Sequence, residues 1–302
     1  MSRLLSCLWM CKNEEDTELH PLSPHELNDK SHIKVKGGVR KQGGNDKQEC
    51  APLDKILKNM KVVHTMPEFD ELYVLVASGK YSPPHRAHID MMENAKLHLE
   101  CQTNIRGKVI GGFFSPYHDD FLASMPTDQS LKGEHRITMC KQITKDSDWL
   151  DVDVWECSQP QPPRIIDVMR HLLFHIVGAV DRFVNKIKIV FVCGSDFMFQ
   201  EDFCEFADRN MSIVVVKRES YFEGVETYIN KLNQRHIDIH YMKHIQTSNI
   251  SSSQVRELLG NGEITDFYDK RDSMIALVPL TVCDYFIKHA DDLVPRQIKN
   301  PL

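Results

Sequence analysis

Six stretches of the chain carry strand-like patterns of apolar residues. Residues 72–77, 108–114, 186–193 and 212–217 are almost continuously apolar and too short for helices, as expected of strands covered on both faces. Leu150, Val152 and Val154 alternate with polar neighbours and predict one face of a fifth strand, and 240–244 can form a sixth. Between them the period changes. Ile89, Met92, Ala95, Lys96 and Leu99 share one helical face beginning near His88, and Ile137, Cys140 and Ile143 do the same within 132–144. A long helix is expected over 164–183, with shorter ones over 53–60, 257–262, 264–267 and 278–289. Strands that alternate with helices predict an α/β fold, a doubly wound parallel sheet that takes ligands at the carboxyl ends of its strands.

The domain pattern does not run through the whole chain. Residues 12–50 are polar and broken by Pro21, Pro24, Gly37, Gly38, Gly43 and Gly44, so 1–52 is expected to be a disordered tail. A linker with a short helix (53–70), the domain (71–291) and a short C-terminal tail (292–302) follow. The length of 302 residues suits one large α/β domain, and a net charge of −6 gives no support for a nucleic-acid binder. No run approaches membrane-spanning length, and the first residues do not read as a signal peptide. Nine cysteines with no C-x-x-C pair suggest reduced thiols, hence a cytosolic or nuclear protein.

The first strand runs into Ser78-Gly79 and a loop holding Pro83, Pro84, His85 and His88. Gly79 lets backbone amides approach a ligand, and the helix terminus behind it favours an anion. His85 and His88 are one helical turn apart, so two imidazoles can donate to polyphosphate oxygens. A pair of surface histidines in a proline-bracketed loop fits the spacing equally well. Farther on, Ser251, Ser252 and Ser253 stand at a helix start with Arg256 one turn in. Hydroxyls, free amides and a guanidinium make an anion site, although an ordinary serine cap has the same pattern.

Gly79-Lys80-Tyr81-Ser82-Pro83-Pro84-His85-Arg86-Ala87-His88 resembles the G-x-F/Y-x-P-x-T/H-x-x-H signature of the nucleotidyltransferase superfamily. Further segments resemble the nicotinamide mononucleotide adenylyltransferases: Ser115-Pro116-Tyr117-His118-Asp119, His135-Arg136, 147–156 with its two tryptophans, Gly194-Ser195-Asp196, Lys217-Arg218, 247–256, and Leu277-Val278-Pro279. The resemblance spans about 72–289. It implies a Rossmann-like single domain that joins ATP to nicotinamide mononucleotide, or its nicotinic acid analogue, and releases pyrophosphate.

By the same resemblance His88 is the main catalytic residue and His85 its neighbour. Gly79, Lys80, Tyr81, both histidines, Gly194, Asp196, Arg218, Ser251, Ser252, Ser253 and Arg256 are expected to hold ATP. Ser115, Trp149 as a ring platform, and Phe203 are expected on the mononucleotide side. Magnesium would ride on the ATP phosphates, since no carboxylate cage is visible. No nucleic acid or transmembrane segment is expected, and a homo-oligomer is left open. Two departures stand out: Leu122, Ala123 and Ser124 occupy the family's lysine cluster, and the second tryptophan is absent. Lys80 and Lys132 are candidates for the missing charge. Two other readings compete, a non-catalytic nucleotide-binding or chaperone-like descendant and a nucleotidyltransferase for another phosphate substrate.

Overall fold

The computed structural model describes residues 50–66, 68–125, 130–180, 184–198, 203–218, 224–243, 250–259 and 264–289. Of the expected tails, 1–49 and 292–302 lie outside the described residues, as does the Thr247–Asn249 part of the serine motif; the expected N-terminal tail, 1–52, overlaps the domain at its end, where Ala51 is buried in the core. The chain runs α1 (Asp54–Val63), β1 (Glu71–Gly79), α2 (Arg86–Cys101), β2 (Gly107–Pro116), α3 (Asp119–Ala123), α4 (Gly133–Thr144), β3 (Leu150–Val152), α5 (Trp155–Ser158), α6 (Ile165–Ala179), β4 (Ile187–Gly194), β5 (Met211–Val216), α7 (Val225–Gln234), β6 (Ile239–Met242), α8 (Ser252–Leu259), α9 (Ile264–Leu277) and α10 (Leu280–Lys288).

All six strands are parallel, in the order β3-β2-β1-β4-β5-β6. From β1 the chain builds outward to β3, then returns to lay β4 on the other side of β1. This reversal opens a crevice at the carboxyl ends of β1 and β4, where an open α/β sheet takes its ligands. The register pairs Gly79 with Pro116, and Gly194 with Val216, so these strand ends share one edge.

Both sheet faces are apolar, which is why the central strands read as unbroken runs. Val74, Val76, Phe113, Ile189, Phe191 and Ile213 face a core completed by α1, α6 and α7. Tyr73, Leu75, Phe114, Val190, Val192 and Val214 face the other, under α2 and α4. A third cluster joins Met139 of α4 to Val255, Met274, Val282 and Phe286 of the C-terminal helices. Among the described residues no helix is long and apolar enough to cross a membrane.

Three sequence expectations need revision. β3 stops at Val152, because Asp153 Oδ1 accepts the Trp155 N–H (3.0 Å) and turns the chain into α5; Val154 is not in the strand. The amphipathic α7 was not anticipated between its flanking loops. The expected linker helix, α1, is an integral layer of the domain. Its Ile56, Met60 and Val63 are buried, and Lys55 donates to the carbonyls of Thr144 and Leu150.

Ile56 fits where Gly111 has no side chain: a Cβ there would lie 2.5 Å from Ile56 Cγ1. Gly111→Ala is therefore expected to cost about 1–3 kcal/mol by overpacking, and Ile56→Ala about 2–5 kcal/mol by cavity formation. The double variant should cost less than the sum, because the new methyl partly fills the cavity. Urea unfolding of all four proteins tests this; strict additivity would mean that the two positions do not meet.

Candidate active site

The loop between β1 and α2 is fixed by its carbonyls. Gly79 O accepts from Tyr117 N (2.9 Å), Lys80 O from Arg136 Nη1 (3.1 Å), Ser82 O from Arg256 Nη1 (2.6 Å) and Pro83 O from Ser252 Oγ (3.0 Å). Leu131 N donates to Ser82 Oγ (2.8 Å). Tyr81 has φ of 46°, a left-handed conformation that a bulky side chain adopts only under constraint. Its hydroxyl donates to Ala77 O (2.6 Å) and its ring lies under the loop, 1% exposed. The Tyr81 side chain is thus a floor, and only its backbone is left for a ligand. Gly79 clears that ring, since an added Cβ would come within 3.2 Å of it.

The two histidines meet at the start of α2. His85 stands at the N-cap, and its backbone N–H donates to His88 Nδ1 (3.1 Å). The rings stack at 3.7 Å, with Tyr81 edge-on to His88 at 4.8 Å. A His88 Nδ1 that accepts places the ring proton on Nε2, which becomes the donor. Burial, then the Arg218 guanidinium, pushes the His85 imidazole from 6.5 down to about 3. His88 is pushed well below its ordinary value by burial, then by His85 and Arg218. Both rings are neutral at pH 7.

Arg218 follows β5, and its charge reaches both imidazoles. Its Nε is 3.5 Å from Asp196 Oδ1 and its backbone N–H donates to Ser195 Oγ (3.1 Å). Gly194 makes room for this pair: a Cβ would lie 2.3 Å from Asp196 Oδ1 and 2.8 Å from Arg218 Nε. On α8, Ser251 is a plain helix cap, exchanging hydrogen bonds with Gln254 (2.8 and 3.2 Å). Ser252 and Arg256 instead reach the loop, and Ser253 Oγ accepts from Arg256 Nη2 (3.2 Å). The expected ATP-side residues of β1, β5 and α8 therefore converge on one loop.

The mononucleotide-side expectations fare differently. Trp149 precedes β3, at its amino end, and is 3% exposed. Its indole packs beneath Gly112, its Nε1 donates to Glu93 (2.9 Å), and Lys96 Nζ lies 4.7 Å from its ring centre. It belongs to the core and offers no face to a ligand. Phe203 is fully buried between Phe191 and Phe206, because a run of phenylalanines there completes the core behind β4. Ser115 is sealed as well, its hydroxyl donating to Glu156 Oε2 (2.7 Å). Of the two tryptophans in this segment Trp155 is the half-buried one, and its ring stacks on His171 at 4.2 Å.

Glu156 was overlooked as a site group. Its Oε2 also accepts from Ser78 (2.6 Å), so one carboxyl ties the ends of β1 and β2 together. Burial raises it from 4.5 to about 8 despite those two donors. Its only sequence signal was the Trp-Glu pair after a strand. Of the charge candidates, Lys80 is half-buried on the loop, whereas Lys132 caps α4 and lines another cleft with His135 and His289. Leu122, at a lysine position of the resemblance, is 1% exposed.

The loop between β1 and α2 thus lies at the switch point of a parallel α/β sheet, where such folds take their ligands. Residues 76–258 match the cytidylyltransferase-like family model, and the chain belongs to that family. Its curated relatives include nicotinamide/nicotinic acid mononucleotide adenylyltransferase 2 of Caenorhabditis elegans, 37% identical over 40% of this chain and 51% of that protein. The Arabidopsis thaliana nicotinamide/nicotinic acid mononucleotide adenylyltransferase is 28% identical over 63% and 80%. This chain thus spans about half the length of the first relative and four fifths of the second. Among solved structures it resembles Plasmodium falciparum nicotinic acid mononucleotide adenylyltransferase complexed with NaAD, at 15% identity and TM-score 0.47, over 72% of this chain and 96% of that one.

The depressed His85 value predicts a pH dependence of stability. Below pH 6.5 the unfolded chain takes up a proton that the folded imidazole refuses until about pH 3, so stability falls across that window as pH drops. Each withheld proton steepens the loss by up to about 1.4 kcal/mol per pH unit. His85→Gln, which cannot titrate, is expected to show a shallower decline between pH 6.5 and 4.5 in urea unfolding. Parallel profiles would show that His85 titrates freely in the folded protein.

Proposed function

We propose that this chain transfers the adenylyl group of ATP to nicotinamide mononucleotide or nicotinic acid mononucleotide, forming the dinucleotide and pyrophosphate. One observation carries the reading: neutral His85 and His88 sit beside a glycine loop that Arg218 approaches from β5 and Ser252 and Arg256 hold from α8. The named relatives support the choice of substrates. A 5′-phosphate oxygen of the mononucleotide attacks the α-phosphorus, a new P–O bond forms, and the bond to the bridging oxygen of the β-phosphate breaks. The electron pair leaves on pyrophosphate.

No covalent protein intermediate is required, so the protein's work is positioning and charge stabilisation. His88 Nε2–H donates to a phosphate oxygen as charge builds there; being neutral, it needs no proton from solvent at pH 7. His85 sets the His88 tautomer through its backbone N–H. Arg218 and Arg256 supply fixed positive charge. Magnesium would arrive with ATP, bound to its phosphates, as part of the substrate.

The test is pyrophosphate release from ATP with each mononucleotide. Turnover with at least one is expected, and His88→Ala should lower kcat by about two to four orders of magnitude in a protein that stays folded, with only the modest fall in thermal midpoint that loss of a helix cap brings. ATP binding without turnover of either mononucleotide would favour the non-catalytic reading, which the buried Leu122 supports.

Lys80 tests the missing charge. It is half-buried on the loop itself, while a lysine position of the resemblance is filled by sealed Leu122. Lys80→Met keeps the stem and removes the charge, and is expected to lower kcat/KM by about tenfold without loss of stability. Wild-type kinetics in this variant would show that Lys80 is a solvent-facing bystander.

A further inference from the structure

Arg136 is the largest fully buried side chain among the described residues, and its charge has unusual company. It projects from the first turn of α4 and donates to three main-chain carbonyls from three segments: Nε to Leu131 O (2.9 Å), Nη1 to Lys80 O (3.1 Å) and Nη2 to Tyr117 O (2.6 Å). Nη2 also pairs with Asp119 Oδ1 (2.5 Å), whose other oxygen accepts the Gly133 N–H (3.0 Å). The Cys157 sulfur lies 3.8 Å from Nη2 and donates in turn to Pro116 O and Tyr117 O. Burying a guanidinium is costly unless every donor has a use. Here the uses are the glycine loop, the turn after β2 and the segment before α4, the three walls on one side of the candidate site.

We propose that Arg136 is a positioning residue that sets the phosphate loop, by holding the Lys80 carbonyl on the side away from the ligand so that the neighbouring amides point into the crevice. The inference rests on the adenylyl-transfer reading only in needing a triphosphate at that loop. Several features favour a positioning role over plain cohesion. The peptide held at Lys80 lies between Gly79, where β1 ends, and Tyr81, whose positive φ must be imposed from outside. The same guanidinium holds Tyr117, whose backbone N–H donates to Gly79 O, so it fixes the loop directly and through its neighbour. Three different nitrogens of the planar fork each serve a different carbonyl; a lysine ammonium, a single donor centre, does not match that spread. Because Arg136 has no exposure it does not touch the substrate, and its effect is indirect.

The experiment measures ATP and pyrophosphate binding by calorimetry for the full chain, Arg136→Lys and Asp119→Asn, beside thermal midpoints and steady-state kinetics. Arg136→Lys is expected to raise the Kd for ATP and pyrophosphate by about ten- to a hundredfold at unchanged stoichiometry, well below its thermal midpoint. KM for ATP should rise with it. A merely structural role would lower the number of binding-competent molecules and leave the Kd of the remainder as it was. Should Arg136→Lys fail to fold, Asp119→Asn decides: it keeps the arginine, loosens its ion pair and should raise the same Kd by a smaller factor. Wild-type affinity in the folded variant, with the unmodified chain binding ATP, overturns this inference alone. Absence of ATP and pyrophosphate binding by the unmodified chain overturns both it and the adenylyl-transfer reading.

Discussion

A loop that offers its amides to an anion must find donors for its carbonyls elsewhere, and this requirement organises the molecule. Three segments supply four donors to the stretch at the end of β1: the turn behind β2, α4, and α8, which gives two side chains. Elements far apart in sequence are therefore held at one place by the chemistry of the main chain as well as by the apolar cluster that joins α4 to α8. The sheet supports this arrangement because β1 is flanked on both sides, leaving only the carboxyl end of the strand to diverge from its neighbours.

Electrostatics at the same place follows from burial. Two imidazoles are packed against each other, His88 also against Tyr81, and a guanidinium stands nearby, so neither takes a proton at neutral pH. Positive charge in the site is instead carried by arginines, which burial cannot readily neutralise. Glu156 shows the opposite response of a buried acid, held toward its neutral form while two serine hydroxyls still donate to it.

Much of the fold was legible because strands covered on both faces leave unbroken apolar runs, and β1, β2, β4 and β5 all lie within a residue or two of those runs. The histidine loop was legible for a different reason: residues 79–88 resemble a known signature, whereas the spacing of the imidazoles alone fits a pair of surface histidines equally well. Trp149 and Phe203 were misread because an aromatic beside a strand looks alike whether it faces a ligand or a core; only the third dimension shows the Trp149 ring under Gly112. Arg136 could be named but not understood, since its partners are carbonyls, and carbonyls carry no signature in a sequence. Val154 was lost to a local competition in which an aspartate bonded the main chain and ended the strand.

The position of α1 bears on where this protein begins as a physical object. The family match starts at residue 76, inside β1, yet the groove left by Gly111 is filled by a side chain twenty residues earlier. Lys55 also stitches the helix to carbonyls beside β3. The segment that kinship delimits is thus smaller than the segment that can close its own core. A fragment cut at the kinship boundary would present an apolar trough along one sheet face, and would be expected to aggregate before its chemistry could be assayed.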